Sequence, residues 1–388
     1  MEREFEVVVY GATGFTGGLV AEYLAKVPGL RWALAGRDAA KLGRVRDRIA
    51  KNDNALASLP LITASAEDPA SLAAMAARTG VVLTTVGPYA RHGEPLVRAC
   101  VDARTHYVDL TGEPAFVDAM IGRYHAMAEE ARVKIVHSCG FDSIPHDLGA
   151  LFTVRALKAN GPVTVNGYVQ GDGQFSGGTW HSAINAFANP GSLASARKER
   201  RAALPSGGRR VHGRTRLHRM ERLNSWACPL PTIDPDVVLR SARNVAGYGS
   251  DFTYGHHVAV PSLGLLAKGA LGVAGVMLLA QLPPTRAWLL SKKSPGEGPS
   301  PERRAKSWFK VTFVGEGDGR KIVTEVSGGD PGYGETAKML AESALCLARD
   351  SEKLPARYGV VTTAEAMDDV LIGRLTAAGI AFRVVENP

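Results

Sequence analysis

Cysteine is scarce in this sequence. Four residues, Cys100, Cys139, Cys228 and Cys346, are scattered over 388 positions with no C-x-x-C pair among them. That spacing excludes the usual disulfide framework and the usual zinc motif, and a reducing compartment is the simplest setting for such thiols. A leader is missing too: Met1-Glu2-Arg3-Glu4-Phe5 runs straight into an apolar strand, with no charged-then-apolar stretch and no small-residue cleavage site. The expected location is the cytoplasm. No internal repeat is apparent. Disordered, collagen-like and fully membrane-embedded classes are excluded by 45% hydrophobic and 22% charged residues alongside 43 Gly and 22 Pro. The length predicts two or three domains at roughly 100–200 residues each. Lys and Arg number 46 against 38 Asp and Glu, a balance of +8 that carries meaning only where it clusters.

What is present begins with a β-branched run, Phe5 to Tyr10, followed by Gly11-Ala12-Thr13-Gly14-Phe15-Thr16-Gly17 and then apolar residues at helical spacing. This strand, glycine turn and helix carry a G-x-x-G-x-x-G variant of the dinucleotide fingerprint. Gly11 permits the tight turn, Gly14 lets backbone approach a pyrophosphate, and Gly17 lets the helix pack on the strand. The helix N-terminus adds unpaired N–H groups and a positive dipole end. A second strand, Trp32 to Ala35, ends in Gly36-Arg37 with Lys41 just beyond. Where an NAD site would carry an acid for the ribose 2′-hydroxyl, Arg37 beside a second cation suits a 2′-phosphate, so NADP(H) is expected; the plain alternative is a solvated loop charge.

Strands and helices keep alternating to about His137, which predicts an α/β fold with a Rossmann-type, doubly wound parallel sheet. Its ligands should lie at the carboxyl ends of the strands, where the loops Val86-Gly87-Pro88-Tyr89, Leu110-Thr111-Gly112-Glu113 and Ser138 to His146 emerge.

The motifs GATGFTG, AGR, TTVGPYARHGEPLVRAC, YVDLTGE, CGFDSIPHDLG, FSGGT and SGGDPGYGETAKMLAESALCLA together resemble the saccharopine dehydrogenase-like oxidoreductases, in the branch of trans-acting enoyl reductases of actinobacterial polyketide lipid synthesis. The resemblance covers nearly the whole chain. It implies that Gly11, Thr13, Gly14, Phe15 and Thr16 hold the pyrophosphate, that Gly36, Arg37 and Lys41 face the adenosine phosphate, and that Val86, Gly87 and Pro88 line the nicotinamide side. It also implies an acyl-thioester substrate on an acyl carrier domain of a polyketide synthase. One departure is visible: where related sequences often carry an Asp near the adenine, this chain reads Ala64-Ser65-Ala66, leaving Ser65 a single hydrogen bond to offer.

After Leu148 the rhythm stops. The expected organisation is a nucleotide domain over 1–147, an α+β substrate domain over 148–334, and helices over 335–388 that return to the first domain. Gln174 to Trp180 places a glycine pair at the cleft or at a plain turn. Residues 197–222 hold ten Lys or Arg against two Glu, read as a basic insertion that is either a solvated run or a platform for an acidic partner or an anionic bilayer; nucleic acid is not expected, since interleaved aromatics are lacking. Residues 258–282 carry Lys268 as their one charge, with four interior glycines, and read as a buried or interfacial helical hairpin in peripheral contact with the inner face of the membrane. Ser291 to Lys306 reads as a linker, and strands flanking Glu316-Gly317-Asp318-Gly319 as a hairpin.

Enoyl reduction requires a hydride at the β carbon, donors near the thioester oxygen, and a proton for the α carbon. Candidates are Tyr89, first in line as proton donor or else a wall of the cofactor site, with His92, Asp142, Ser143, His146 and Tyr333; Asp142 and Ser143 are alternatively helix caps. His92, His137 and His146 are too dispersed for a metal, and none is expected. Two other functions stand open: a saccharopine-type dehydrogenase acting on an amino-acid imine, and a cofactor-binding scaffold on a lipid surface.

Overall fold

The computed structural model describes residues 3–173, 180–181, 184, 188, 190–203, 208–292 and 298–386. The nucleotide-binding half runs β1 (Phe5–Tyr10), α1 (Phe15–Leu24), β2 (Trp32–Gly36), α2 (Ala39–Ala50), β3 (Leu61–Thr63), α3 (Pro69–Ala76), β4 (Thr79–Thr84), α4 (Tyr89–Asp102), β5 (His106–Val108), α5 (Pro114–Glu130) and β6 (Lys134–Val136). There follow α6 (Ile144–Leu157), β7 (Val163–Asp172), α7 (Pro190–Ala203), β8 (Arg210–Arg214), β9 (His218–Met220), β10 (Ser225–Pro229), α8 (Asp234–Asn244) and β11 (Asp251–Val260). The remainder is α9 (Leu263–Ala280), α10 (Pro283–Ser291), α11 (Pro301–Lys306), β12 (Trp308–Gly317), β13 (Arg320–Gly328), α12 (Gly334–Arg349), β14 (Gly359–Val361), α13 (Thr363–Ala377) and β15 (Ala381–Glu386).

The first sheet has the order β14-β6-β5-β4-β1-β2-β3, with every pairing parallel. Helices cover both faces, so its central strands are apolar throughout: five of the six residues in FEVVVY are buried. The strand order reverses between β1 and β4, which places the ligand crevice over the loops after those two strands. The doubly wound expectation holds.

The second sheet has the order β15-β13-β12-β7-β11-β10-β9, with β8 pairing β11. Asp318 and Gly319, both at positive φ, make the two-residue link between β12 and β13, the backbone a tight hairpin demands. The Asp318 carboxylate then accepts the N–H groups of Asn160 and Gly161, 2.7 and 3.0 Å away, fastening the hairpin to the α6–β7 connection. Helix α6 lies under this sheet. A Cβ on Gly149 would stand 2.4 Å from the Phe313 ring, so glycine there sets the approach of helix to sheet.

The tail does more than the sequence reading expected of it. Helix α12 is buried almost throughout and packs on α1 and β4, and its Glu342 is held by Arg374 at 2.7 Å and by the Tyr23 hydroxyl. Two short strands accompany the helices: β14 adds to β6 in the first sheet, and β15 adds to β13 in the second. One apolar core therefore runs from Val7 and Leu34 through Leu340 and Leu345 to Phe313 and Val326.

Two segments correct the sequence reading. The basic stretch is not simply a solvated run: its described residues include the end of α7 and strands β8 and β9, and several of its charges are structural. Arg200 reaches the buried Asp118 at 2.7 Å, while Arg209 donates to the carbonyls of Ala242, Val245 and Gly249, closing the C-terminus of α8 as a cation should. Arg210, Arg214, Arg216 and Arg219 remain exposed. The apolar stretch 258–282 forms the end of β11 and a single helix, α9, rather than a hairpin of its own, since α10 begins at Pro283, and α9 is exposed: Leu271 is 75% and Leu278 72% accessible, and only Ala280 is buried. It is long and apolar enough to cross a membrane by length and composition. Of the Gln174 to Trp180 motif, residues 174–179 lie outside the described residues, as do 293–297 of the linker, whose far end is the short helix α11.

Candidate active site

The glycine turn has the geometry its spacing implies. Gly11 adopts φ +94°, and a Cβ there would meet Thr85 Oγ1 at 2.7 Å and Val86 at 2.8 Å; at Gly17 it would meet the Gly11 carbonyl oxygen at 2.2 Å. These two glycines let β1, α1 and the loop after β4 close on one another. Gly14 differs. It is exposed, its φ of −77° suits any residue, and a Cβ would find only the Gly11 oxygen, at 3.4 Å. Nothing in the protein requires glycine at that position, whereas a group lying on the turn would. Gly14 caps α1 without a side chain, and no acid occupies the first turn, so the opening N–H groups of the helix face the crevice. Thr13 is exposed beside it, with Phe15 and Thr16 partly buried.

At the end of β2, Gly36 is buried against Leu42 and Arg37 is exposed. Lys41 stands 3.9 Å from Asp38, whose carboxylate caps α2 by accepting the Lys41 N–H at 2.9 Å. Asp38, passed over in the sequence reading, thus orients the helix that carries Lys41. Ser65 follows β3, and its hydroxyl accepts the Glu67 N–H at 3.3 Å in a local turn. Val86, Gly87 and Pro88 follow β4, with the Gly87–Pro88 peptide cis.

Beneath the crevice two carboxylates organise the loops. Buried Asp109 accepts hydrogen bonds from the Tyr107 hydroxyl, His137 Nδ1 at 2.7 Å, and the N–H groups of Thr111 and Ser138. Glu113 accepts the N–H groups of Tyr89 and Ala90 at 3.0 and 2.9 Å, closing the start of α4. Both lie in the quoted YVDLTGE motif, where an acid following a strand and a second beside a threonine are the signals of loop-fixing carboxylates.

The proton-donor expectation for Tyr89 is corrected by its orientation. The side chain is 5% exposed, and its hydroxyl donates to the Thr84 carbonyl at 3.2 Å and receives the Leu110 N–H at 3.4 Å. Burial raises its pKa well above the ordinary value, helped by the nearby Asp109 charge. Tyr89 points into the nucleotide domain, its hydroxyl taken up by Thr84 and Leu110. His92 sits partly buried in the first turn of the same helix. Tyr333 is buried and meets Phe15 edge to face at 4.9 Å, so the second half of the chain does reach the glycine turn. Arg304 lies over the same Phe15 ring, 5.7 Å from its centre.

Asp142 and Ser143 lie where the loop after β6 enters α6, joined by a cis peptide. Ser143 takes the cap position, yet its hydroxyl makes no cap bond and has no hydrogen-bond partner. The Asp142 carboxyl is raised to about 7, by burial first and by the negative charge of Asp234 second. Asp234 belongs to a group that the sequence reading missed: His146 from α6, Asp234 at the start of α8, and His256 in β11, all buried, their donor atoms within 4.8 Å of one another. Burial lowers His146 to about 4, while the two histidines hold Asp234 below the carboxylate range. The dispersal of histidines in the sequence hid this meeting, because two of its three members come from the second half of the fold.

With this geometry in view, comparison with known proteins is decisive. The model of the saccharopine dehydrogenase NADP-binding domain matches residues 7–136. A trans-acting enoyl reductase of Mycobacterium bovis is 35% identical over 98% of this chain and 98% of its own. The chain belongs to the saccharopine dehydrogenase-like oxidoreductases. A saccharopine dehydrogenase-like oxidoreductase of Bos taurus is 33% identical over 100% of this chain and 98% of its own. Saccharopine dehydrogenase (L-Glu forming) of Saccharomyces cerevisiae shares the fold, with a TM-score of 0.56 over 98% of this chain and all of that one, at 13% identity. This oxidoreductase is NADP-dependent, and its residues fit the coenzyme: the open face at Gly14 leaves room where a pyrophosphate would lie, and the exposed Arg37 and Lys41 are the cations that would meet a 2′-phosphate.

Proposed function

We propose that the protein is an NADPH-dependent enoyl reductase acting in trans on an acyl chain held as a thioester by the carrier domain of a separate polyketide synthase. The carrying observation is full-length likeness to a mycobacterial protein of that name. Aromatic packing next to the candidate site supports it: Phe15, beside the glycine turn, meets Tyr333, and Phe141, beside Asp142, meets Phe309 at 5.0 Å. Bound NADPH supplies hydride. The chain's own share is to hold an apolar acceptor against the nicotinamide loop Val86-Gly87-Pro88, keep water from it, and return a proton, for which the Asp142 carboxyl and the unpartnered Ser143 hydroxyl are the groups in place. The test follows NADPH consumption with enoyl thioesters of increasing chain length, beside saccharopine with NADP in the reverse direction. Turnover that improves with chain length supports the reading. Reduction of NADP by saccharopine would replace it with the imine reading, and NADPH binding without any turnover would leave the scaffold.

We further propose that the enzyme works in the cytoplasm, seated peripherally on the anionic inner face of the membrane through α9 and α10. Helix α9 exposes apolar side chains all round, which a bilayer can cover and a single protein face cannot; its 18 residues span about 27 Å at 1.5 Å each. Between Asp251 and Glu297 no acid occurs, against Lys268, Arg286, Lys292 and Lys293. Register places Arg219 beside Trp226 and Trp226 beside Val260, so the exposed arginines lie near the root of α9. Flotation with anionic vesicles should be lost in a Leu271→Asp, Leu278→Asp double variant that still reduces a short, soluble enoyl thioester. Unchanged flotation would sink the assignment.

A further inference from the structure

The meeting of His146, Asp234 and His256 has features that a buried ion pair lacks. Their side chains are 2%, 2% and 1% exposed, and among the described residues Asp234 Oδ1 and His256 Nε2 have no hydrogen-bond partner. Leaving such atoms unsatisfied in the interior is costly, because burial strips their water without replacing it. The distances give an explanation. His146 Nε2 lies 3.8 Å from Asp234 Oδ1, and His256 Nε2 lies 3.4 Å from Asp234 Oδ2. Both exceed the roughly 2.7–3.2 Å of a hydrogen bond. The same molecule shows what a closed His–Asp pair looks like, in His137 Nδ1 and Asp109 Oδ2 at 2.7 Å. Two donor atoms on adjacent corners of a tetrahedron around an ion, each about 2.0–2.2 Å from it, stand about 3.3–3.5 Å apart. The 3.4 Å pair has the spacing of two ligands on one ion, the 3.8 Å pair is a few tenths of an ångström wider, and the three donor atoms lie within 4.8 Å of one another.

We propose that His146, Asp234 and His256 form a binding site for one divalent cation of the zinc class. Two imidazoles and one carboxylate select a borderline metal such as zinc or cobalt over magnesium or calcium, which ask for oxygen ligands in greater number. Two of the three ligands have an outer contact of the kind metal ligands use: the Tyr254 hydroxyl lies 3.3 Å from His256 Nδ1, fixing the ring, and the Thr232 hydroxyl donates to Asp234 Oδ2, while His146 Nδ1 has no partner among the described residues. Three protein ligands leave a fourth position for water. The ion joins α6, at the end of the nucleotide domain, to α8 and β11 of the second, and so holds the loop carrying Asp142 and Ser143 against the second sheet. The site stands on its own geometry, independent of which substrate the enzyme reduces.

The experiment uses the full chain, purified without immobilised metal or chelator from zinc-supplemented cells, with metal measured by mass spectrometry. The expected result is about one zinc per chain in the parent and less than about a tenth of that in Asp234→Asn and His256→Gln. Both variants should keep NADPH affinity within about twofold, which shows that they fold. Should either fail to fold, cobalt titration of the parent decides: saturation at one equivalent with the visible d–d absorption of four- or five-coordinate cobalt supports the site. A parent chain that carries no zinc as purified and develops no such absorption overturns it, whatever its activity.

Discussion

Replacing Gly14 by alanine separates what the protein needs from what its coenzyme needs. The added Cβ meets only the Gly11 oxygen, at 3.4 Å, an ordinary contact, and φ is already −77°. Against the folded state stands the loss of a glycine helix cap, a few tenths of a kcal/mol to about 1 kcal/mol; in its favour stands a gain of about 0.4–1 kcal/mol from a less flexible unfolded chain. The two nearly cancel, so Tm should move by no more than about 2 °C in a chain of this size. Coenzyme binding should not escape. A methyl group on the face where the pyrophosphate approaches displaces it from the α1 N–H groups, and losing one charge-assisted hydrogen bond of about 1.5–3 kcal/mol weakens binding by about 10–100-fold. Calorimetric titration of NADPH beside a thermal melt reads both quantities on one preparation. A Gly14→Ala protein with unchanged stability and unchanged NADPH affinity would refute the placement of the coenzyme on this turn. The companion change Gly17→Ala forces a Cβ to within 2.2 Å of a backbone oxygen and should cost about 2–3 kcal/mol or more of stability.

Arg37→Asp should shift preference from NADPH toward NADH by about 1–3 kcal/mol, read as the ratio of kcat/KM for the two coenzymes; an unchanged ratio removes the phosphate role from Arg37. Tyr89→Phe should cost about 1 kcal/mol of stability through the lost contacts to Thr84 and Leu110 while kcat stays within about twofold, and a hundredfold fall in kcat would restore the residue to catalysis. His106 supplies a pH signature. Its Nδ1 accepts the Lys134 N–H at 3.0 Å, and burial, aided by the Lys134 charge, lowers its pKa to about 4 from 6.5. The unfolded chain therefore binds the proton first, so this contribution is complete above pH 6.5 and falls away by up to about 3 kcal/mol as pH drops toward 4. Denaturant melts across that window should show a shallower slope in His106→Gln, and an identical slope would reject the assignment.

The parts of this molecule that were legible in the sequence are those whose cause is local. Gly11 and Gly17 announce a tight turn because only glycine tolerates the contacts made there, and the β-branched run before them is apolar because both faces of its sheet are covered. Arg37 could be placed since it ends a strand that the same pattern predicts. Strand β14 escaped because three residues, Gly359, Val360 and Val361, show no periodicity; only the exposed edge of β6 makes a strand of them. Tyr89 misled for a similar reason. A Gly-Pro step says that a turn is present, but the direction of the next side chain depends on the Thr84 carbonyl and the Leu110 N–H, which other elements supply. Asp234 and His256 carry no motif at all, and the packing of α8 and β11 against α6 is what gathers them beside His146. For α9 the length and apolarity were plain, whereas its exposure followed from the rest of the chain burying its core without that helix.

The contribution of one terminal strand to each sheet sets an order on biosynthesis. While the ribosome still shelters the segment after Arg349, β6 and β13 each present a bare row of amide groups to the cytosol. Neither sheet has its full set of strands until β14 and β15, with α13 between them, have docked. Until that moment the nascent polypeptide carries two sticky margins and an apolar helix together, the sort of client a holding chaperone or a nearby bilayer would have to shield.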